Sequence, residues 1–334
     1  MQCYKISSVS CSFSFFPRVT QMASSLRGIF VPIPTFFKEN EDLDLDSLDL
    51  HVQYLSKSGV AGIVVLGSMG EAVSLSDEER DQVIKQVVAS VKKYNPSLVI
   101  IAGTSSQSAR NVISYTRQAA AAGAQYCLIL PPSFYRGSIT DDALVAFYTA
   151  VADQSPLPII IYNYPGVCQG IDVSTKVLVQ LSKHKNIVGL KGTDANVGKM
   201  ADLVQKTDPK EFALLAGSVD FFLPELLIGA VGLIPGAGNV FPALCAEIQR
   251  LYDNKQYDEA ARLQRQLVEA DDALCRWHGV PGAKSYIFRK FGYGQGICRN
   301  PLQRVTEDQA VKIEQAVDPV VSLEENLKSN WTNK

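Results

Sequence analysis

PIIIYNYPG (158–166) and IVGLKGTD (187–194) decide how this sequence folds. Each is a short apolar run that closes on one chemically capable side chain, Tyr162 in the first and Lys191 in the second. Runs without polar alternation belong to strands covered on both faces, as in a parallel sheet sheathed by helices. Between them Ser174–Lys183 has helical periodicity, so the pair reads as strand, helix, strand. Working outward, the alternation recurs. Strand-like runs occupy Gly28–Pro34, Gly62–Leu66, Leu98–Ala102, Tyr126–Leu130, Ala213–Ala216 and Gly232–Pro235 as well. Helical patterns fill Asp46–Ser58, Ser76–Tyr94, Ser108–Ala122, Asp141–Asp153, Val197–Lys206, Val219–Ile228 and Phe241–Asp253. Ser76 with Glu79 three residues later forms a capping box, and the glycines of KSGVAG and AAGAQ stand where helix C-caps are expected. Eight strand–helix units predict an α/β fold, a (β/α)8 TIM barrel over residues 28–253. An open doubly wound sheet would want a Gly-rich nucleotide loop, and neither GxGxxG nor GxxxxGK[ST] occurs.

Three further helical patterns, Tyr257–Trp277, Val280–Phe291 and Glu307–Ala316, predict a C-terminal helical extension over 254–320, packed on the barrel as one domain. Residues 321–334 read as a tail, and 1–27 as a disordered or targeting segment. The first 38 residues lack Asp and Glu and carry Lys5, Arg18, Arg27 and Lys38 among many serines, the composition of a mitochondrial presequence. Phe13, Phe15, Phe16 and Pro17 fit that pattern poorly, and Met22 offers another start. A cytoplasmic protein is therefore the first expectation, with the mitochondrial matrix as the alternative.

Composition narrows the function. Lys plus Arg (32) nearly cancels Asp plus Glu (34), which leaves no basic excess for nucleic acid or an anionic membrane. No apolar run reaches the length of a membrane span; Ile228–Ile234 is broken by Gly and stops at Pro235. Seven cysteines without CxxC spacing read as buried thiols, and three isolated histidines argue against a metal site.

In a barrel of this kind, reactive residues gather where the strands end. Lys191 closes the sixth run, where desolvation can free its amine for attack on a carbonyl. Alone, a strand-end Lys is more often solvated or ion-paired. Tyr162 closes the fifth run, and a phenol beside an amine can relay protons. After the second run, GSMGE (67–71) makes a tight turn whose backbone N–H groups and Ser68 hydroxyl can hold a carboxylate, with Glu71 as a buttress of the loop. Together the three supply what cleavage of a 2-oxo acid needs: an anchor for the acid, an amine for the adjacent ketone and a proton carrier.

From about Gly28 to Arg304 the sequence also resembles the dihydrodipicolinate synthase/N-acetylneuraminate lyase superfamily. The likeness rests on GSMGEAVSLSDEER, YNYPG, IVGLKGT and GAVGLIPGAGNVFP, each in the matching unit. It implies a Schiff-base residue at Lys191, a relay tyrosine at Tyr162 and a carboxylate site at Ser68 with the Met69 backbone. It further implies that Ile234 lines the pyruvyl pocket and that Thr193 faces the hydroxyl end of the substrate. No cofactor and no metal are implied. The resemblance implies a small-molecule 2-oxo acid as partner and a homotetramer arranged as a dimer of dimers as the assembly.

Departures from the family pattern sort its members. Synthases of the dihydrodipicolinate type carry an Arg soon after YN-x-P, whereas here the turn continues Gly166-Val167-Cys168-Gln169-Gly170. AGSVDFF does not match the sialic-acid lyases. The C-terminal half resembles 4-hydroxy-2-oxoglutarate aldolases, while LPPSFYRGSIT and YNYPGVCQGID resemble fungal 2-keto-3-deoxy-L-galactonate aldolases. Both split a 4-hydroxy-2-oxo acid into pyruvate and an aldehyde, and the first is placed slightly ahead. In the loop after the fourth run the family's second relay tyrosine aligns with Phe134, and Tyr135 is one residue displaced. Phe134 and Met69 keep a catalytically impaired 2-oxo-acid-binding barrel open as an alternative, beside a condensing enzyme of the synthase type.

Overall fold

The computed structural model describes residue 23 and residues 25–332. Most of the segment read as targeting or disordered therefore lies outside the described residues. Eight strands pair in parallel in chain order and the last returns to the first, which closes the barrel. They are β1 (Gly28–Pro32), β2 (Gly62–Val65), β3 (Val99–Gly103), β4 (Tyr126–Ile129), β5 (Ile159–Asn163), β6 (Ile187–Gly192), β7 (Ala213–Ala216) and β8 (Gly232–Leu233). A helix follows each: α1 (Leu45–Ser56), α2 (Asp77–Tyr94), α3 (Ala109–Ala122), α4 (Asp141–Gln154), α5 (Thr175–Leu181), α6 (Val197–Lys206), α7 (Phe222–Ile228) and α8 (Pro242–Asp253). The (β/α)8 barrel read from the sequence is thus the fold.

The unbroken apolar runs divide as a strand must. Phe30, Val64, Ile101, Leu128, Ile160 and Leu215 fill the barrel interior. Their strand neighbours, such as Ile63, Ile129, Ile159 and Leu214, meet the helices. Ser76 caps α2 with the reciprocal bonds of a capping box, as its sequence predicted. Among the described residues no helix is long and apolar enough to cross a membrane.

Three helices complete the chain: α9 (Tyr257–Cys275), α10 (Gly279–Phe291) and α11 (Glu307–Thr332). The last corrects the expectation of a helix ending at Ala316 and a tail over 321–334. It runs through Pro319, because Ala310, Ile313, Ala316, Val317 and Val320 form one buried stripe. Farther on, the buried Glu324 accepts the N–H groups of Ala243 (3.0 Å) and Leu244 (2.9 Å) at the start of α8. Phe241, the residue before that helix, offers no side-chain cap. A residue assigned to a tail is therefore the cap of another helix.

Candidate active site

Tyr162 of β5 stands opposite Lys191 of β6 in the parallel register. On β5 the alternation is regular: Ile159 and Ile161 face helices, Ile160 and Tyr162 face inward. On β6 it is not. Ile159 pairs with Ile187, but Ile160 pairs with Gly189, so Val188 is an extra residue in the ladder. Ile187 faces the helices, Val188 the interior and Leu190 the helices again. Without the extra residue Lys191 would share the face of Ile187. The bulge resets the phase and aims Lys191 into the barrel, with Nζ 4.1 Å from the centre of the Tyr162 ring.

Lys191 is only 4% exposed. Burial lowers its pKa to about 7, with the nearby Cys275 pulling slightly the other way. A large share of the amine is therefore unprotonated at neutral pH. Burial pushes the Tyr162 phenol up to about 12, while the Ser68 and Thr193 hydroxyls draw it partly back. Ser68 Oγ lies 3.3 Å from the phenol oxygen, and the Tyr164 ring stacks on Tyr162 at 5.8 Å between centres. The phenol stays protonated, with the amine over its ring and the Ser68 hydroxyl beside its oxygen, so a proton carrier stands next to the amine.

Ser68 comes from the turn after β2. Leu66 adopts a left-handed φ of 59°, and the chain bends so closely over β3 that a Cβ on Gly103 would sit 1.9 Å from the Leu66 carbonyl oxygen. Within the turn Gly70 N–H donates to Gly67 and Glu71 N–H to Ser68, which leaves the N–H groups of Ser68 and Met69 as donors for an anion. Glu71 is the buttress expected. Its carboxylate pairs with the fully buried Lys284 at 2.7 Å and accepts the Arg299 N–H at 3.0 Å. Lys284 also donates to the Thr35 carbonyl, and Thr35 Oγ1 to the Gly70 carbonyl, both at 2.7 Å.

These groups line one cavity of about 90 Å³, the space of about three waters. Ser68, Met69, Tyr162, Lys191 and Thr193 all border it, so five residues singled out from the sequence converge. Ile234 does not border it; this residue is packed in the barrel interior beside Tyr162 and Leu215. Phe134 and Tyr135 are not brought to it within one chain. They stand 68% and 72% exposed on the loop after β4, edge to face at 5.1 Å.

Besides Pro32, Tyr164 and Gly236, four residues at the cavity escaped the sequence reading. Ser218 follows β7, Cys275 ends α9, and Arg276 lies just past that helix end. Gly217 lets strands β6 and β7 close together, since a Cβ there would meet Thr193 Oγ1 at 2.0 Å. Arg276 Nη2 donates to Asp220 (2.8 Å) and to Ser218 (3.2 Å), and Nη1 to Asp272 (2.8 Å). Only the AGSVDFF motif pointed toward this region; nothing in the helical pattern before Trp277 marked Arg276 as facing the barrel mouth.

A model of the dihydrodipicolinate synthetase family matches residues 25–319. A protein of Emericella nidulans named as a probable mitochondrial 4-hydroxy-2-oxoglutarate aldolase is 39% identical over 303 residues, covering 90% of this chain and 97% of that one. An L-threo-3-deoxy-hexylosonate aldolase of Hypocrea jecorina is 38% identical, covering 90% and 98%. Among solved structures, the 4-hydroxy-tetrahydrodipicolinate synthase of Methylacidiphilum fumariolicum SolV matches with a TM-score of 0.83 at 28% identity, covering 90% and 99%. Fold, lysine-bearing strand and sequence likeness along nine-tenths of its length agree, and the chain belongs to the dihydrodipicolinate synthetase family.

Proposed function

We propose that the chain is a class I aldolase that cleaves a 4-hydroxy-2-oxo acid to pyruvate and an aldehyde through an imine on Lys191. The observation that carries this reading is the buried amine over the Tyr162 ring, in a cavity that also holds Ser68. The substrate carboxylate binds at Ser68 and the Met69 N–H. The free amine adds to the C2 carbonyl, and Tyr162 passes protons as the carbinolamine loses water. The protonated imine draws the electrons of the C3–C4 bond as it breaks. The C4 hydroxyl gives up its proton and leaves as the aldehyde, C3 of the enamine is protonated, and water returns pyruvate and the amine. Aldolase names among the relatives support the same chemistry.

The test is reductive trapping. Pyruvate with borohydride should add mass to the peptide carrying Lys191 and to no other lysine peptide, and 4-hydroxy-2-oxo acids should release pyruvate. An unmodified Lys191 peptide overturns the imine mechanism.

We also infer a homotetramer. A pocket of about 240 Å³ lies on the far side of Ser68 and Tyr162, bordered by Val73 and Val167. Val73 is fully exposed in the single chain. The exposed Phe134 and Tyr135 of a neighbouring copy suit this pocket, and Tyr135 would bring its hydroxyl to the relay. For the compartment, the composition of residues 1–38 and the mitochondrial name of the Emericella relative support the matrix, and a fluorescent fusion distinguishes it from the cytoplasm.

A further inference from the structure

The motif YNYPG (162–166) acts as a unit in the structure, and Tyr162 is only its first member. Asn163 is fully buried at the end of β5 and clamps the loop that follows. Its Oδ1 accepts the Val173 N–H at 2.9 Å, and its Nδ2 donates to Asp172 at 2.8 Å. One residue therefore closes both ends of the stretch 164–172. Midway, the Cys168 thiol faces the Pro131 carbonyl oxygen at 3.8 Å. Arg136 Nε donates to the Gln169 carbonyl at 3.3 Å, so the stretch is also tied to the loop after β4. A segment pinned at its ends and in its middle can hold a side chain in place.

Tyr164 is the side chain it holds. Two residues after Tyr162, it leaves the strand on the same side. Its ring stacks on the Tyr162 ring at 5.8 Å between centres, with 23° between the planes. Gly166 lies against that ring, where a Cβ would come within 3.0 Å of Tyr164 Cε2. Tyr164 borders the Lys191 cavity and is half-buried, so its ring stands between the amine and solvent. The Tyr162 phenol needs such a support. Ser68 Oγ lies 3.3 Å from its oxygen, which is long for a bond between hydroxyls. The amine needs it too, because Lys191 is a free base near neutrality only while it is kept from water.

We propose that Tyr164 is a positioning residue, whose ring holds the Tyr162 phenol beside the Lys191 amine and shuts bulk water out of the cavity. The flat face of the ring carries this role, and the hydroxyl does not. The inference rests on the imine reading above. It adds a residue that acts through Tyr162 and Lys191 rather than on the reacting atoms.

The test compares Tyr164→Val and Tyr164→Phe with the wild type, using the full-length chain. Borohydride trapping of pyruvate, followed across pH, reads the amine. The phenol is read at pH 9, where the amine is largely free in each protein. There the measurement is kcat for pyruvate release from the faster of 4-hydroxy-2-oxoglutarate and 2-keto-3-deoxy-L-galactonate. Tyr164→Val admits water, which favours the protonated amine, so the trapping midpoint should rise from about 7 to about 8. Trapping at pH 7 should then fall about fivefold and recover at pH 9. The kcat at pH 9 should fall about tenfold or more, as for any displaced catalytic group, with KM changed less. Tyr164→Phe keeps the ring and should recover most of both losses. Gly166→Ala keeps Tyr164 but presses a methyl group on its ring. Its midpoint should shift the same way, and it reads the same contact should Tyr164→Val fail to fold. A folded Tyr164→Val with an unmoved midpoint or an unmoved kcat at pH 9 overturns the inference, as does a Tyr164→Phe equally damaged. An adduct on wild-type Lys191 with unmoved variants sinks only the role of Tyr164, whereas no wild-type adduct sinks the imine reading as well.

Discussion

At the residue scale the site is a problem of keeping one amine unprotonated. Lys191 attacks a carbonyl only as the free base, and burial brings its pKa to about 7. The rate of borohydride trapping with pyruvate should therefore rise about tenfold per pH unit below that value and level off above it. A profile that climbs steadily toward pH 10 would mean the amine is solvated. Tyr162→Phe removes the phenol but keeps the ring under the amine. Turnover should fall by ~10²–10⁴-fold while Lys191 can still be trapped. Glu225 on α7 poses a different question. It is completely buried, neither carboxyl oxygen has a hydrogen-bond partner, and burial followed by the nearby Asp194 and Asp220 raises its pKa to about 8. A raised carboxyl pKa gives stability that is present below the unfolded value near 4.5 and lost as pH rises through about 8. Glu225→Gln should thus stabilise the protein by about 1–3 kcal/mol at pH 8 and have no such effect at pH 4, measured by urea unfolding at both pH values.

At the scale of elements, the GSMGE turn depends on a contact spanning most of the chain. Lys284 of α10 and Glu71 are both buried, and Arg299 closes the second oxygen of the carboxylate. Lys284→Met leaves that carboxylate buried with half its partners, at a cost of about 3–5 kcal/mol. The turn should loosen with it, so the pyruvate concentration needed for half-maximal trapping rises even where the variant still folds. Ordinary pyruvate affinity in the folded variant would show that the pair holds the fold but not the turn. Such contacts explain how far the sequence could be read. Strands and helices of the barrel declare themselves because each buries an apolar pattern that is local. Lys191 and Tyr162 declare themselves because a strand end is where such a fold presents chemistry. The Val188 bulge that aims Lys191 leaves no local mark, since an apolar residue suits either face of β6. Arg276 lies past a helix end whose direction only the packed molecule defines. Glu324 looks like one more surface acid until α8 is seen to need a cap. Glu324→Gln should cost about 1–2 kcal/mol in thermal or urea unfolding, as loss of a charged cap does.

At the scale of the whole molecule, closure of the barrel and attachment of the C-terminal helices meet at His51. This residue of α1 is fully buried; Nε2 lies 2.9 Å from Asn239 Oδ1, after β8, and Nδ1 lies 2.9 Å from the Tyr293 hydroxyl, after α10. The Asn239 amide nitrogen donates to the carbonyls of Pro32 and Gly236, which fixes its oxygen toward the ring. His51 must then donate from Nε2 and accept at Nδ1, so Tyr293 donates. A second proton, on Nδ1, would displace that donor at a fully buried ring. Burial accordingly lowers the His51 pKa to about 4, partly offset by the Asn239 bond and reinforced by Lys328. With the unfolded value near 6.5, the unfolded chain takes up a proton that the folded one refuses, so stability is lost as pH falls from about 6.5 toward 4. The full span is worth about 3 kcal/mol. Glu225 and Asp271, whose pKa values are raised, change stability with the opposite sign over part of the same range. The His51 contribution is therefore read as a difference between proteins. Urea unfolding of the wild type and of His51→Gln at pH 7 and pH 4.5 should show the variant less stable at pH 7, with the gap closing by about 2 kcal/mol on acidification. Parallel lines for the two proteins would mean that His51 is protonated in the folded barrel, and that the Asn239–His51–Tyr293 chain is arranged with Tyr293 as acceptor instead.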